Sequence, residues 1–313
     1  MGKFLWFFSC FVFSSHVLIA EAHLDRLFEY DQKTCEEILH AAEPSDLWNY
    51  FLRGQANLYI TQDEQWLSQK GWWTGAQNIL ELGSGNGVYL SLLSERFTDK
   101  RFLGVENQPL LVKQSDAEFG RSGLAFIEGD AERDYEQYRN QFDIVLYRLT
   151  LQHLKNPKHS LKLAHQYLKQ DGYVIIIDSY DPARISSHEF PSLDKVASQI
   201  KERNQAAAKV NRRISIEILE ELQNRTGSLS PLYEVVHTSL DIHGNRLERG
   251  IRFESEQDRK RYLNQNLLFM TIWKKIYGIS VDLGEAYSEL QAHLENDNYW
   301  TSPGIHYLVL KKI

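Results

Sequence analysis

The chain has 313 residues, 42% hydrophobic and 25% charged, with 7 prolines and no low-complexity tract, so it is neither disordered, collagen-like nor a solenoid array. A formal net charge of -7 leaves no basic field to gather phosphate backbones, and nucleic acid is not expected as a primary partner.

In chain order, Lys3 precedes an apolar or small run from Phe4 to Ala20, and Ala20-Glu21-Ala22 has the small-x-small form of a signal-peptidase site. Residues 1–22 therefore read as a signal peptide, with an exported mature chain from about His23. The alternative is an uncleaved membrane anchor, because the run reaches the lower edge of spanning length. Of the two cysteines, Cys10 lies in the signal and only Cys35 remains after cleavage. With no internal disulfide available, the fold has to rest on its core.

Residues 23–75 read as an amphipathic helical preface, with Leu24, Leu27 and Phe28, then Ile38, Leu39, Leu47, Tyr50, Phe51 and Leu52 as apolar positions. From residue 76 onward, short apolar runs alternate with helix-length segments. Strands are predicted at 78–82, 101–106, 124–128, 142–148 and 173–178, with helices near 87–97, 109–120, 133–139 and 158–169. Parallel strands need crossovers of that length, and strands buried on both faces read as unbroken apolar runs such as Val174 to Ile177. Phe190 to Asn224 is again helical, and its basic stretch Lys201 to Arg213 reads as a solvated helix face. Tyr233 to Asp241 reads as a strand, Glu254 to Glu295 as helical, and Ile305 to Lys311 as the last strand. The expected fold class is α/β: a doubly wound, mostly parallel seven-stranded sheet with helices on both faces. It would occupy 76–313, with helical cap insertions at about 185–228 and 254–296.

The chemistry concentrates at Glu81-Leu82-Gly83-Ser84-Gly85-Asn86-Gly87, where a buried strand runs through alternate glycines into a helix. Acid-x-Gly-x-Gly-x-Gly arises by chance in such a chain with a probability of roughly 1%. Its spacing differs from the G-x-G-x-x-G of nicotinamide-binding turns, and it resembles the first motif of class I S-adenosylmethionine-dependent methyltransferases.

That resemblance spans roughly Asn78 to Asp178. It implies S-adenosylmethionine as co-substrate, held by Glu81, Gly83, Ser84, Gly85 and Gly87, with Glu81 toward the methionine amino group or bracing the turn, and Gly87 alternatively serving helix packing. Glu106 ends the second strand about twenty residues on, where a carboxylate can accept from both ribose hydroxyls, with Asn107 beside it. Asp130 and Ala131 follow the third strand and resemble the family's contact to adenine, with Asp130 alternatively a turn residue. Asp143 and Asp171-Gly172-Tyr173 match further landmarks, and Asp143 reads better as a loop-capping acid. The family commonly has Asp where Glu81 stands, so this contact is shifted by one methylene. Arg53 and Gln55 are placed as a helical lid over the methionine end. Arg148 is a further cofactor contact or the partner of an acid.

A sulfonium already activates the methyl group, so orientation, contributing about 7 to 11 kcal/mol, is the main requirement. A base adds roughly 10²- to 10⁴-fold where the acceptor needs one. His153 is the catalytic candidate, since its unperturbed pKa lies near neutrality; packing on its loop is the competing reading. Trp273, Tyr277, Tyr287, Tyr299 and Trp300 either line an acceptor pocket or pack a core. No Cys or His cluster has zinc-ligand spacing, so no metal is expected.

Three activities are compatible with these residues. The first is methyl transfer to a small-molecule acceptor, preferred over a protein. The second is an exported binding or effector protein that keeps the fold without turnover, a reading favoured by the conflict between an export signal and a cofactor made in the cytoplasm. The third is an aminopropyltransferase, for which Asp178 and Asp181 are available acids.

Overall fold

A computed structural model describes residues 37, 39–207, 210–240, 251–252 and 255–313. The predicted signal peptide, both cysteines and the first part of the preface lie outside the described residues. The elements in order are α1 Pro44–Ser68, α2 Gly71–Thr74, β1 Asn78–Leu82, α3 Val88–Arg96, β2 Arg101–Glu106, α4 Pro109–Phe119 and β3 Leu124–Glu128. They continue with β4 Phe142–Arg148, α5 Pro157–Tyr167, β5 Leu168–Ser186, α6 Pro191–Ala207, α7 Ile214–Gln223, β6 Tyr233–Leu240, β7 Ile251–Arg252, α8 Glu256–Tyr277, α9 Leu283–Leu294 and β8 Trp300–Lys312. Proline opens α1, α4, α5 and α6, at the position where its missing N–H is an orphan anyway and its fixed φ is already helical. At α9 the Asp282 carboxylate takes the N–H groups of Gly284 (2.9 Å) and Glu285 (3.2 Å), an ordinary N-cap.

The strands form one sheet in the order β3-β2-β1-β4-β5-β8-β6, with the two-residue β7 also on β8. The first five are parallel, and β8 runs antiparallel to both β5 and β6. The sheet is the seven-stranded, mostly parallel one expected. Its winding reverses between β1 and β4, which puts the ligand crevice at their carboxyl ends.

Strand alternation divides the core. Leu80, Leu82, Val145, Tyr147, Val174 and Ile176 pack on one sheet face with α5 and α7. Ile79, Ile144, Leu146, Ile175, Ile177 and Tyr307 pack on the other with α3 and the second half of α1. Glu81 and Arg148 share the parity of that second set, so period-2 alternation sends both side chains to the α1/α3 face. A third core joins Leu47 and Tyr50 of α1 to Leu193 and Val196 of α6, Leu263 and Leu267 of α8 and Tyr287 and Leu290 of α9. Gly54 is the contact point of α1 with α8: a Cβ there would lie 2.1 Å from Gln265 Oε1, and Gln265 Nε2 donates to Phe51 O at 2.7 Å.

The structure departs from expectation in three places. The helix predicted near 133–139 is a single 3₁₀ turn, 136–138, because Tyr138 packs on Phe142 (5.9 Å) and Tyr167 (6.1 Å) and holds the connection short. Strand β5 runs to Ser186, well past the apolar run, since Arg184, Ile185 and Ser186 pair with Pro303, Ser302 and Thr301 of β8. The first cap insertion is also split: α6 joins the cap core, whereas Ile214, Ile218 and Leu222 of α7 cover the sheet.

Candidate functional site

The turn after β1 is tied to β2 by the N–H groups of Gly83 (2.8 Å) and Ser84 (3.1 Å), both donating to Val105 O. Its glycines have φ of 81°, 57° and 74°. Two of them are required by crowding as well: a Cβ on Gly83 would lie 2.4 Å from Thr150 Cγ2, and one on Gly87 2.8 Å from both Phe126 Cε1 and Ser115 Cβ. Gly87 thus seats α3 tightly against β3 and α4. At Gly85 the nearest atom to an added Cβ is Leu52 Cδ1 at 3.7 Å, so the outer side of the turn is open beneath α1. Ser84 is buried with its hydroxyl against β2, where a Cβ on Gly104 would lie 2.8 Å from Ser84 Oγ.

Helix α1 covers the turn, but through residues other than Arg53. Asn86 Nδ2 donates to Asn49 O (3.2 Å) and Asn49 Oδ1 (2.9 Å), and Leu52 lies over Gly85. Arg53 is instead paired with Glu118 and stands 5.7 Å over the Phe119 ring, at the end of α4.

The acids line up along the strand ends. Glu106 accepts from Gly85 N (3.0 Å, Oε2) and Gln108 N (3.0 Å, Oε1); burial raises its pKa and these N–H groups partly offset the rise. Asn107 beside it is exposed. Gly129 N donates to Glu106 O at 2.9 Å, joining the ends of β2 and β3. Beyond lies exposed Asp130, whose N–H donates to the Tyr135 hydroxyl (2.7 Å) and whose Oδ1 accepts from Glu132 N (2.8 Å). Ala131 is buried, and its carbonyl accepts from Ser160 Oγ at 2.7 Å.

Glu81 is only 2% exposed, and its Oε2 is sealed from solvent with no hydrogen-bond partner. Burial pushes its pKa up to about 8; the Arg148 guanidinium opposes the rise and the Glu106 carboxylate adds to it. An orphaned carboxylate oxygen on the strand that leads into a glycine turn suits an ammonium group, and the residues present therefore fit the methionine end of the expected co-substrate. The Arg148 guanidinium lies 4.1 Å over the Tyr89 ring. Tyr89 and Tyr307 donate to the fully buried Asp63 at 2.9 and 2.7 Å. A cavity of about 10 Å³, the room of one water, lies between Tyr59 and Asp63 of α1, Arg148 and Leu149 at the end of β4, and Ile305 and Tyr307 of β8.

His153 sits on a 3₁₀ turn after β4 and is exposed. The protein packed around it, by desolvation, and the Arg212 guanidinium push its pKa down to about 4. Arg212 pairs with Asp181 at 3.1 Å. On the opposite sheet face from Glu81, Asp178 is fully buried, accepts from Gln152 N (3.1 Å) and Ser179 N (2.9 Å), and is pushed up to about 7 by that burial. Asp143 takes the N–H groups of Gln77 (3.0 Å) and Asn78 (2.8 Å) and the Lys169 ammonium (2.8 Å), the loop-capping arrangement. None of the late aromatics lines the cavity: Tyr287 and Tyr299 are cap core, and Trp273 stacks on Tyr277 at 4.2 Å.

Reading the sequence alone missed Asn49, Asp63, Tyr89, Tyr135 and Tyr307. No local pattern marks them, because Asp63 meets Tyr89 across 26 residues and Tyr307 across 244. Among the described residues no group of three or more His, Cys, Asp or Glu is placed to hold a metal ion, and no helix is long and apolar enough to cross a membrane.

With that geometry in place, the chain was compared with known proteins. The profile of the family described as "Methyltransferase domain" matches residues 74–264, more than half of the chain. The ubiquinone biosynthesis O-methyltransferase of Shewanella pealeana is 24% identical over 98 residues, which are 31% of this chain and 42% of that protein, so the match spans less than half of the relative. The plantazolicin methyltransferase BamL, solved with a triazolic desmethylPZN analog and SAH, superposes with a TM-score of 0.50 and 16% identity over 96% of this chain and 99% of that one. The cyclase SpnF superposes with a TM-score of 0.47 and 12% identity over 80% of each chain. At 16% identity the likeness to BamL is one of fold.

Proposed function

The chain belongs to the methyltransferase-domain family, and from that premise we propose that it transfers the methyl group of S-adenosylmethionine to a small-molecule acceptor. The observation that carries the reading is the buried Glu81 carboxylate, unpartnered at Oε2, beside a glycine turn whose outer side is open. The co-substrate supplies a methyl group already activated on sulfur.

The protein's part is to bind and orient. Glu81 receives the ammonium of the methionine end. Gly83 and Gly85 bring the backbone close, with Ser84 holding the turn from beneath and Gly87 seating the helix behind it. Glu106, with Asn107 beside it, faces the ribose hydroxyls, and Asp130 and Ala131 frame the adenine, their turn pinned by Tyr135. Asn49 and Leu52 of α1 lie over the open outer side of the turn and shield a ligand bound there from water. The small cavity at the end of β4 marks the direction of the acceptor. His153 lies outside the lining of that cavity and, neutral at physiological pH with a pKa of about 4, would be a weak base for an acceptor that reaches its turn.

The test is a calorimetric titration of S-adenosylmethionine and S-adenosylhomocysteine into the wild-type chain and Glu106→Ala. Micromolar binding that the variant loses supports the reading; a folded wild type that binds neither overturns it. Residues 1–22 are proposed as a secretion signal, which N-terminal sequencing of the mature protein tests; retention of residues 1–22 in a wholly cytoplasmic chain would defeat it. The second reading, an exported cofactor-binding protein without turnover, rests on that signal and is excluded by turnover with any acceptor.

A further inference from the structure

Behind the 3₁₀ turn that follows β4, polar groups collect on the sheet face opposite Glu81. Asp178 of β5 and His306 of β8 are register partners, and strand alternation puts both on the face covered by α7. Residues so opposed stand about 5 Å apart at Cβ. Both are buried. Gln152 of the turn, also buried, donates its N–H to Asp178 Oδ2 at 3.1 Å and its side-chain Nε2 to Leu149 O at 3.3 Å. Helix α7 closes the space: it lies against that turn, β5, β6 and β8, and Asn211 N just ahead of it donates to Gln152 O at 2.8 Å. Ser215, in the first turn of α7, is fully buried. Among the described residues, Gln152 Oε1, His306 Nδ1 and Ser215 Oγ are all sealed from solvent without a hydrogen-bond partner. The Asp178 carboxylate accepts two hydrogen bonds there and has room for about four. Buried polar atoms are ordinarily matched, so four such groups brought together from four elements point to a partner held in common.

What these groups lack is donors. In the tautomer whose Nε2–H donates to Thr238 Oγ1 (2.9 Å), His306 Nδ1 is an acceptor, as are Gln152 Oε1 and the Asp178 oxygens. The cation alongside, Arg212, is paired with Asp181 at 3.1 Å on the partly exposed rim, and its charge reaches both Asp178 and His153. Ile177 and Ile305, next in chain to Asp178 and His306, and Leu149, whose carbonyl Gln152 holds, line the small cavity at the end of β4. The polar cluster therefore sits at the level of the crevice to which the acceptor is directed. We propose that Asp178, Gln152, Ser215 and His306 form a subsite for an amine group of the methyl acceptor, entered past Arg212 and Asp181. This rests on the methyl-transfer reading above and narrows its acceptor to an amine. An ammonium brings up to three donors and a charge to match Asp178, whereas a hydroxyl brings one donor and no charge. The bound ammonium gives one N–H proton to Asp178 and remains as the neutral amine, the nucleophilic form. Burial, which raises the Asp178 carboxyl to about 7, brings that transfer closer to balance.

The test uses the full chain saturated with S-adenosylhomocysteine. Methylammonium chloride, small enough to enter any amine site, is the probe, with methanol and with sodium chloride at equal ionic strength as controls. Methylammonium at tenfold above its dissociation constant should raise the melting temperature of the wild type by a few degrees, and the controls should not. Asp178→Asn should lose that shift with its affinity for S-adenosylhomocysteine unchanged. Gln152→Met keeps the backbone N–H on Asp178 and removes one acceptor, so it should weaken methylammonium by about 5- to 30-fold. It decides the matter where Asp178→Asn does not fold. A shift that methanol or sodium chloride produces equally, or no shift with any of the three, overturns the proposal, and the buried acceptors then hold water alone. The same titration reports separately on the co-substrate. S-adenosylhomocysteine bound without an amine response removes the acceptor assignment only, whereas a folded chain that binds no S-adenosylhomocysteine removes the co-substrate reading and the acceptor assignment with it.

Discussion

Replacing Glu81 by Gln separates the stability of the ligand-free chain from its affinity for the co-substrate. A folded-state pKa of about 8 against an unfolded value of 4.5 means that the native chain holds a proton here that the unfolded chain releases. Stability from this site is therefore present below about pH 4.5 and lost as the pH rises toward 8, a penalty of about 3 kcal/mol at pH 7. The amide carries no charge to desolvate but leaves its own polar atoms to satisfy, so Glu81→Gln should stabilise the ligand-free chain at pH 7 by about 1 to 3 kcal/mol in urea unfolding. Binding moves the other way. An ammonium ligand needs the ionised carboxylate, which is roughly a tenth populated at pH 7 and a hundredth at pH 6, so wild-type affinity should rise about eightfold across that interval. It should peak near pH 8 and fall beyond, as the ligand's own α-amino group loses its proton. Calorimetry at pH 7 in buffers of different ionisation enthalpy should find about 0.8 protons released, and Glu81→Gln should release none and lose the rising limb. Affinity that is flat from pH 6 to 8 with no proton release would refute both the elevated pKa and the role assigned to this carboxylate.

Gly87→Ala places a Cβ 2.8 Å from Phe126 and Ser115 at a φ of 74°, and should cost about 2 to 5 kcal/mol of stability in urea unfolding, from left-handed strain and overpacking together. At Asp143, burial works against the charge, but the Lys169 ammonium and two backbone N–H groups outweigh it and hold the pKa below the usual carboxylate range. Asp143→Asn should therefore lose about 1 to 2 kcal/mol at pH 7, and the gap should close as the pH falls below about 4 and the wild-type carboxyl takes up its proton; a gap that persists at pH 2 would contradict this. The His153 ring should titrate near pH 4 by NMR, and a midpoint near 6.5 would mean that it is more open to solvent than the surrounding packing implies.

The parallel half of the sheet is readable because its signal is local. The runs at 78–82, 101–106, 124–128 and 142–148 are short, predominantly apolar segments ending on charged or turn residues, the form that parallel strands of a covered sheet take. The glycine turn and the acids Glu106 and Asp130 are legible for the same reason, since a backbone that must adopt positive φ leaves glycines in the sequence and strand ends leave carboxylates. Where β5 ends, by contrast, depends on which strand lies beside it, and the largely exposed residues from Arg184 to Ser186 become strand because β8 pairs with them. The choice of Asn49 rather than Arg53 over the turn follows from the rotation of α1, set by its packing on α3 and by the Gly54 contact with α8. The pairing of Asp63 with Tyr307, the stacking of Arg148 on Tyr89 and the protonation of Glu81 are likewise beyond any window of sequence. Composition and periodicity determine where most strands and helices form, because those depend chiefly on a residue and its near neighbours. Charge states and side-chain partners depend on burial and on groups brought together from distant segments, and only the assembled tertiary structure decides them.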